Sequence, residues 1–204
     1  MIFIQARSTS TRFPNKIMEK IGDWTLLEWV YNRLEPIGMP IAFLLPYFDP
    51  AIQYIQSKGW NHYVGPEDNV LSRFYKAAKR FEVSGCLRIT ADCPFISSEK
   101  ALAVISKGVM EDYDFVSNCV LDQVDGHEAE WMSMAILDKM WAEAEEGDHE
   151  HVTTWAKRTI GHNGFKSYVF GHDFTAKLVG KLSVDTPEDL ERLRKIMEDQ
   201  NAGT

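Results

Sequence analysis

Met1-Ile2-Phe3-Ile4-Gln5-Ala6-Arg7-Ser8-Thr9-Ser10-Thr11-Arg12-Phe13-Pro14-Asn15-Lys16 opens the chain with an abrupt change of character. Ile2–Gln5 is apolar enough to be a strand buried on both faces, and the Ser/Thr/Arg/Pro run 7–16 cannot continue it. Next, Thr25–Leu34 has apolar residues at i, i+1, i+4, i+5 and i+8, the spacing of an amphipathic helix. Strand, loop and helix in that order begin an α/β fold.

The pattern repeats outward. Pro40–Leu45 predicts a second strand. Asp49-Pro50 offers an N-cap with proline at N1, opening a helix that Gly59 closes. His62–Val64 predicts a strand, Asp68–Phe81 a helix and Cys86–Ala91 a strand. A helix over Ser98–Met110 follows, capped by Ser97 or Ser98. One strand–helix pair every 25–30 residues or so predicts a mainly parallel sheet covered by helices on both faces, with ligands at the carboxyl ends of its strands. The second half is less regular. Strands are expected at Phe115–Asn118, Ala129–Met134, 167–170 and Leu182–Val184, with helices near 135–146 and 149–160 and from Pro187. Without a repeat or linker, residues 1–204 are expected to form one domain.

Composition agrees. The chain has 204 residues, 45% of them apolar and 12% aromatic, which excludes wholesale disorder. No apolar run approaches the roughly 20 residues of a membrane span, and the N-terminus lacks the form of a signal peptide. Cys86, Cys93 and Cys119 include no CxxC pair, so a reducing cytoplasm is expected. The net charge of −8 speaks against a nucleic-acid or acidic-membrane surface. It is unevenly spread. Residues 1–20 set Arg7, Arg12, Lys16 and Lys20 against Glu19, a net of +3, while residues 111–150 set 13 acids against Lys139, a net of −12. Cations gathered at one end of an acidic protein point to an anion there.

Three segments carry chemistry. The loop after the first strand interleaves three cations with hydroxyl residues, a phosphate cradle by composition, although it holds no glycine and is neither a Walker A loop nor a GxGxxG turn. In Arg88-Ile89-Thr90-Ala91-Asp92-Cys93-Pro94, Asp92 follows a buried strand directly, where a carboxylate suits Mg²⁺ or simply holds the turn. In Leu182-Ser183-Val184-Asp185-Thr186-Pro187-Glu188-Asp189, Asp185 ends an expected strand, while Glu188 and Asp189 suit the first turn of a helix.

These segments resemble the cytidylyltransferase family, the group of the acylneuraminate and 3-deoxy-manno-octulosonate cytidylyltransferases, and within it the branch called spore coat polysaccharide biosynthesis protein F. The resemblance rests on Gln-Ala-Arg-x-x-Ser-x-Arg-x-Pro-x-Lys at 5–16, on 88–94 and on Val-Asp-Thr-Pro-Glu-Asp-Leu at 184–190. It extends over Asp68–Phe74, Asp112–Asn118, Gly126-x-x-x-Glu130 and Glu150–Thr153, in order along nearly the whole chain.

The resemblance implies a Rossmann-like nucleotidyltransferase fold and transfer of CMP from CTP to a sugar hydroxyl in surface-glycan biosynthesis. It implies catalytic roles for Arg12, Lys16, Asp92 and Asp185, with Mg²⁺ on Asp92 and Asp185. Gln5, Ala6, Arg7, Ser10, Arg12, Lys16, Arg73 and Arg88 would bind the nucleotide. Gly126, Glu128, Glu130, Glu150 and His151 would lie toward the acceptor and the dimer side, and 115–135 would form an arm pairing two subunits. Asp185, Glu130 or a metal-bound water is left as general base.

Where family members usually carry Pro-Arg-Gly, this chain has Val124-Asp125-Gly126-His127-Glu128. Since 111–150 offers Lys139 alone to meet a sugar carboxylate, a neutral or amino-bearing acceptor is expected. Asp112-Tyr113-Asp114 is a literal DxD, which would suit a glycosyltransferase, but it also matches the family's helix-to-strand junction. A nucleotide-binding relative without turnover is the third reading. On a helix His149 and His151 would point about 200° apart, with His151 toward the site. Trp131, Met132, Met134, Trp141 and Trp155 read as core.

Overall fold

The computed structural model describes residues 1–118, 126–162, 164–171 and 181–202, with side chains to residue 199. Cys119, Val124 and Asp125 lie outside the described residues.

The chain starts with β1 (Ile2–Gln5), then a short 3-10 turn at Lys16–Met18 and a hairpin of β2 (Lys20–Ile21) and β3 (Trp24–Thr25). The sequence reading missed this hairpin, because two-residue strands leave no periodicity to detect. α1 (Leu26–Leu34) begins in a capping box between Thr25 and Glu28. Then come β4 (Ile41–Pro46), α2 (Ala51–Ser57), β5 (Asn61–Gly65), α3 (Val70–Arg80, capped by Asn69) and β6 (Gly85–Thr90). α4 (Ser98–Met110) is capped by Ser97. β7 (Phe115–Ser117), β8 (Glu130–Ser133), α5 (Met134–Glu143), α6 (Thr154–Arg158), β9 (Ser167–Val169) and α7 (Pro187–Ala202) complete the order.

Seven strands form one sheet in the order β5-β4-β1-β6-β8-β7-β9. All pairings are parallel except those of β8, which runs antiparallel to both neighbours. The period of two sorts side chains between two cores. Ile2, Ile4, Phe43, Leu87 and Ile89 meet Leu27, Val30, Val104 and Ile105 of α1 and α4. Phe3, Leu44, Cys86 and Met132 meet Leu71, Phe74, Leu137 and Trp155 of α3, α5 and α6 on the other face. The third cluster, Ile21, Leu26, Phe95, Leu182, Val184, Leu190 and Leu193, docks α7 onto the hairpin side. Among the described residues no helix is long and apolar enough to cross a membrane.

Three expectations need correction. Leu182–Val184 is not a strand: a single backbone bond from the Val184 amide to the Asp92 carbonyl, 2.9 Å, ties it to the sheet edge. The expected helix 149–160 shrinks to Thr154–Arg158, so His149 and His151 are not on a helix. Trp141 is not core but lies on the surface, stacked on Tyr75 at 5.0 Å. The expected cap of α2 does form: Asp49 Oδ1 accepts from the Ala51 amide at 2.9 Å across Pro50, while the same carboxylate also holds Ser8. The described parts of 115–135 include two sheet strands; residues 119–125 of the expected arm lie outside the described residues.

Candidate active site

β1 has β4 on one side and β6 on the other, so successive crossovers leave it in opposite directions. Loops 6–15 and 91–97 therefore leave the carboxyl edge side by side, the crevice where open α/β sheets bind ligands. A cleft of about 210 Å³ opens there, lined by Gln5, Ala6, Arg7, Ser10, Arg12 and Lys16 with Thr90, Asp92 and Asp185.

The loop after β1 is held by its own polar groups. The Ser8 amide and hydroxyl both donate to Asp49, at 2.7 and 2.6 Å, and the Ser8 carbonyl accepts from the Asn15 amide at 2.8 Å. Ser10 accepts from the Phe13 amide at 3.4 Å, and Thr9 bonds Glu67. Asn15 takes a left-handed φ of 57° and turns the chain into Lys16.

Lys16 is the hub. Its side chain is 8% exposed, and Nζ reaches Asp92 Oδ2 at 2.7 Å, the Val184 carbonyl at 2.7 Å and Asp185 Oδ1 at 3.2 Å. Arg12 reaches Asp185 Oδ1 at 2.8 Å, and Lys181 bridges Asp185 and Asp189 at 2.7 Å each. Burial alone would raise the Asp185 carboxyl, but the bond from Lys181 and the charge of Lys16 hold it below the usual carboxylate range. Asp189 accepts from the Asp185 and Thr186 amides at 2.9 and 3.1 Å, fixing the backbone that presents Asp185.

A second cavity, about 240 Å³, shares Thr90, Asp92 and Asp185 with the first and adds Arg88, Cys93, Glu128 and Ser183. Asp92 and Asp185 thus stand between two spaces. Glu128 accepts from the Gly126 amide at 2.8 Å. Gly126, at φ 115°, lies so close to the 182–183 backbone that a Cβ would be 2.5 Å from the Leu182 carbonyl carbon; glycine alone permits that approach.

Arg88 enters this cavity from β6, where it sits in register with Glu130 of β8. Its Nη1 lies 2.6 Å from Glu130 Oε2, and its Nε donates to Gln5 at 3.1 Å. Glu130 is fully buried and also takes Lys157 at 2.6 Å and the Thr153 hydroxyl at 3.1 Å. Burial would raise its pKa, but Arg88 and then Lys157 bring it below the usual range. Glu130 lines neither cavity and supports Arg88 from behind.

Other expected residues lie apart. Arg73 is buried, with its Nη1 on the Pro66 and Glu67 carbonyls; burial and the nearby Arg7 charge lower it to about 10. Glu150 lines a separate hollow with Pro66, Asp68, Asn69 and His149, while His151 is exposed. From that segment it is Thr153 that reaches the Glu130 network. Asp112 and Asp114 sit at the turn into β7, at the amino edge and opposite the cleft, where Asp114 accepts from Ser133 and the Lys166 amide. That placement favours the junction over a DxD metal site.

Lys157, which meets Glu130, and Lys100 and Arg33, which act on His127, reach this region from outside 111–150. They line neither of the two cavities, so the neutral or amino-bearing acceptor expected from the sequence is left as a proposal. His127 is 7% exposed, and among the described residues neither ring nitrogen has a hydrogen-bond partner; burial, then Lys100 and Arg33, push it down to about 4.

Sequence reasoning missed Asp49, Thr153 and Lys181. Lys181 lies four residues before Asp185, but outside a helix that spacing announces no contact.

Comparison with known proteins is consistent along the whole chain. The family model described as Cytidylyltransferase matches residues 1–41 and 53–202. The uncharacterized protein MJ1063 of Methanocaldococcus jannaschii is 32% identical over 197 residues, covering 92% of this chain and 79% of the relative. Spore coat polysaccharide biosynthesis protein SpsF of Bacillus subtilis is 25% identical over 214 residues, covering 100% and 87%. The structure of a cytidylyltransferase from Leptospira borgpetersenii superposes with a TM-score of 0.86 at 24% identity, covering 97% of this chain and 85% of that one, and shows the fold to be that of Rossmann-like nucleotidyltransferases.

Proposed function

Because the chain belongs to the cytidylyltransferase family, we propose that it moves CMP from CTP onto a sugar hydroxyl and releases pyrophosphate, as a cytoplasmic enzyme of surface-glycan biosynthesis. The observation that carries this is the meeting of Arg12 and Lys16 with Asp92 and Asp185 at one point between two cavities. The cationic side suits the triphosphate, and the side with Glu128 and Ser183 suits a polyhydroxylated acceptor.

In this reading the acceptor oxygen attacks the α-phosphorus, the bond to the β-phosphate oxygen breaks, and pyrophosphate leaves with the charge. Arg12 and Lys16 meet that charge where it develops. Arg88, held by Gln5 and Glu130, keeps the acceptor hydroxyl in line. The hydroxyl proton would pass to a carboxylate of the second cavity, Asp92 or Glu128. The buried Glu130 and the depressed Asp185 are poor bases.

A divalent ion fits the donor set. Mg²⁺ takes one or two carboxylates and fills its shell with water and phosphate oxygens. Asp92 and Asp185 converge on a single ammonium, and among the described residues no trio of His, Cys, Asp or Glu forms an all-protein cage. Bound there, Mg²⁺ would neutralise phosphate charge beside the α-phosphorus. Assembly as a homodimer is part of the proposal and is checked by sedimentation velocity.

The test is pyrophosphate release across CTP, UTP, ATP and GTP with neutral, amino and acidic sugars, with and without Mg²⁺. Release that requires CTP, sugar and metal together supports the reading. No release with any sugar, or equal release with all four nucleotides, overturns it.

A further inference from the structure

Between β4 and α2 the chain makes a turn that displays an aromatic ring at an energetic cost. Phe48 is 96% exposed, more than any other large apolar side chain among the described residues, and its φ is 61°. A bulky residue in the left-handed region is strained. Glycine would make the same turn without strain, so the turn does not explain the ring. Tyr47 beside it is 53% exposed, the two ring centroids lying 6.4 Å apart.

The turn is anchored to the phosphate loop. Asp49, next in sequence and 4% exposed, takes both the amide and the hydroxyl of Ser8. The Tyr47 amide donates to the Gly65 carbonyl at 2.8 Å, and Thr9 of the phosphate loop bonds Glu67. Loops after β1, β4 and β5 are therefore laced into one rim on the β4 side of the cleft. On the β8 side the second cavity offers carboxylates, hydroxyls, a thiol and a guanidinium, but no aromatic ring. A nucleotide whose phosphates lie over Arg12 and Lys16 would have a polar flank for the acceptor and an aromatic flank for its base.

We propose that Phe48, with Tyr47, is the platform on which the base of the bound nucleotide stacks. The inference rests on the nucleotidyltransferase reading above and assigns its base-side contact. Stacking on an aromatic ring tolerates every base, so Phe48 supplies affinity and leaves the choice of cytosine to other contacts.

Isothermal titration with CTP and with inorganic tripolyphosphate tests it, on wild type, F48G and F48W, with sedimentation velocity alongside. F48G keeps the turn, loses the ring and should not lower the melting temperature. CTP affinity is expected to fall roughly tenfold in F48G and hold in F48W, with tripolyphosphate affinity unchanged in both. Unchanged CTP affinity in F48G overturns the proposal. A parallel loss of tripolyphosphate affinity overturns it too, since the loop rather than the stack would then be at fault. So does a shift from dimer to monomer with CTP affinity intact, which would make Phe48 a contact between copies. A wild type that binds CTP yet releases no pyrophosphate sinks the proposed reaction alone; one that binds no nucleoside triphosphate sinks both.

Discussion

Lys16 Nζ lies 2.7 Å from Asp92 Oδ2, so the last cation of the loop after β1 is locked to the carboxylate that follows β6. The pair joins segments 76 residues apart, and Asp185 completes it on the same ammonium. One side chain thus couples the cationic loop after β1 to both carboxylates of the cleft.

Asp92→Asn removes a negative charge from that meeting point without changing its shape. Metal-dependent pyrophosphate release should fall by at least about a hundredfold, the scale of losing one electrostatic partner of a transition state. Circular dichroism and the melting temperature should stay near those of wild type. Undiminished turnover would take Asp92 out of the mechanism.

Asp49→Ala should loosen the phosphate loop from behind. It removes the acceptor of the Ser8 amide and hydroxyl and of the Ala51 amide. Hydrogen bonds to a charged group contribute roughly 1.5–3 kcal/mol each when broken one-sidedly. The expected outcome is a higher KM for CTP with a smaller change in kcat, read from steady-state kinetics.

Glu130→Ala strands Arg88 and Lys157 beside a buried space and leaves Thr153 without its acceptor. Removing one member of a buried charge network costs about 3–5 kcal/mol, so the urea midpoint should drop sharply. Glu130→Gln keeps a carbonyl for Thr153 and should recover part of that loss. A midpoint unchanged in both variants would show the network to be idle.

His127 ties stability to pH. Its folded pKa is held down to about 4 by burial and by Lys100 and Arg33, below the ordinary 6.5 of the unfolded chain. Between those values the unfolded state binds the extra proton, so the stability contribution is complete above about pH 6.5 and lost as pH falls toward 4. At 1.36 kcal/mol per pKa unit the limit is about 3 kcal/mol. Urea midpoints measured from pH 7 to 4 should fall, and His127→Asn should flatten that slope. An equal slope in the variant would assign the titration to other groups.

Most of the architecture was legible because it rests on local periodicity. Ile2–Gln5, Leu26–Leu34, Gly85–Thr90 and Ser98–Met110 have burial patterns that a strand or helix of that length must have. The residues lining the cleft were legible for a related reason: Arg7 and Asp92 come just after strands, Arg12 and Lys16 lie in the loop that follows β1, and a parallel sheet puts such loops on one edge. What failed was local regularity without length. The two-residue strands β2 and β3 were missed, and Leu182–Val184 was read as a strand when one amide bond to Asp92 does that work.

The sequence by itself determined a parallel sheet with a cationic loop and Asp92 at its carboxyl edge, since alternation and strand ends are properties of neighbouring residues; Asp185 reaches that edge through the Val184–Asp92 backbone bond instead of a strand of its own. Only the tertiary structure decided who answers whom. It set Lys16 between Asp92 and Asp185, turned Arg73 and Glu130 inward, sent Asp114 to the opposite edge and brought Lys100, Arg33 and Lys157 to a segment that holds almost no cations of its own. Those pairings depend on strand order and crossover direction, which fix distances between residues far apart in the chain and leave no trace in the spacing of either one.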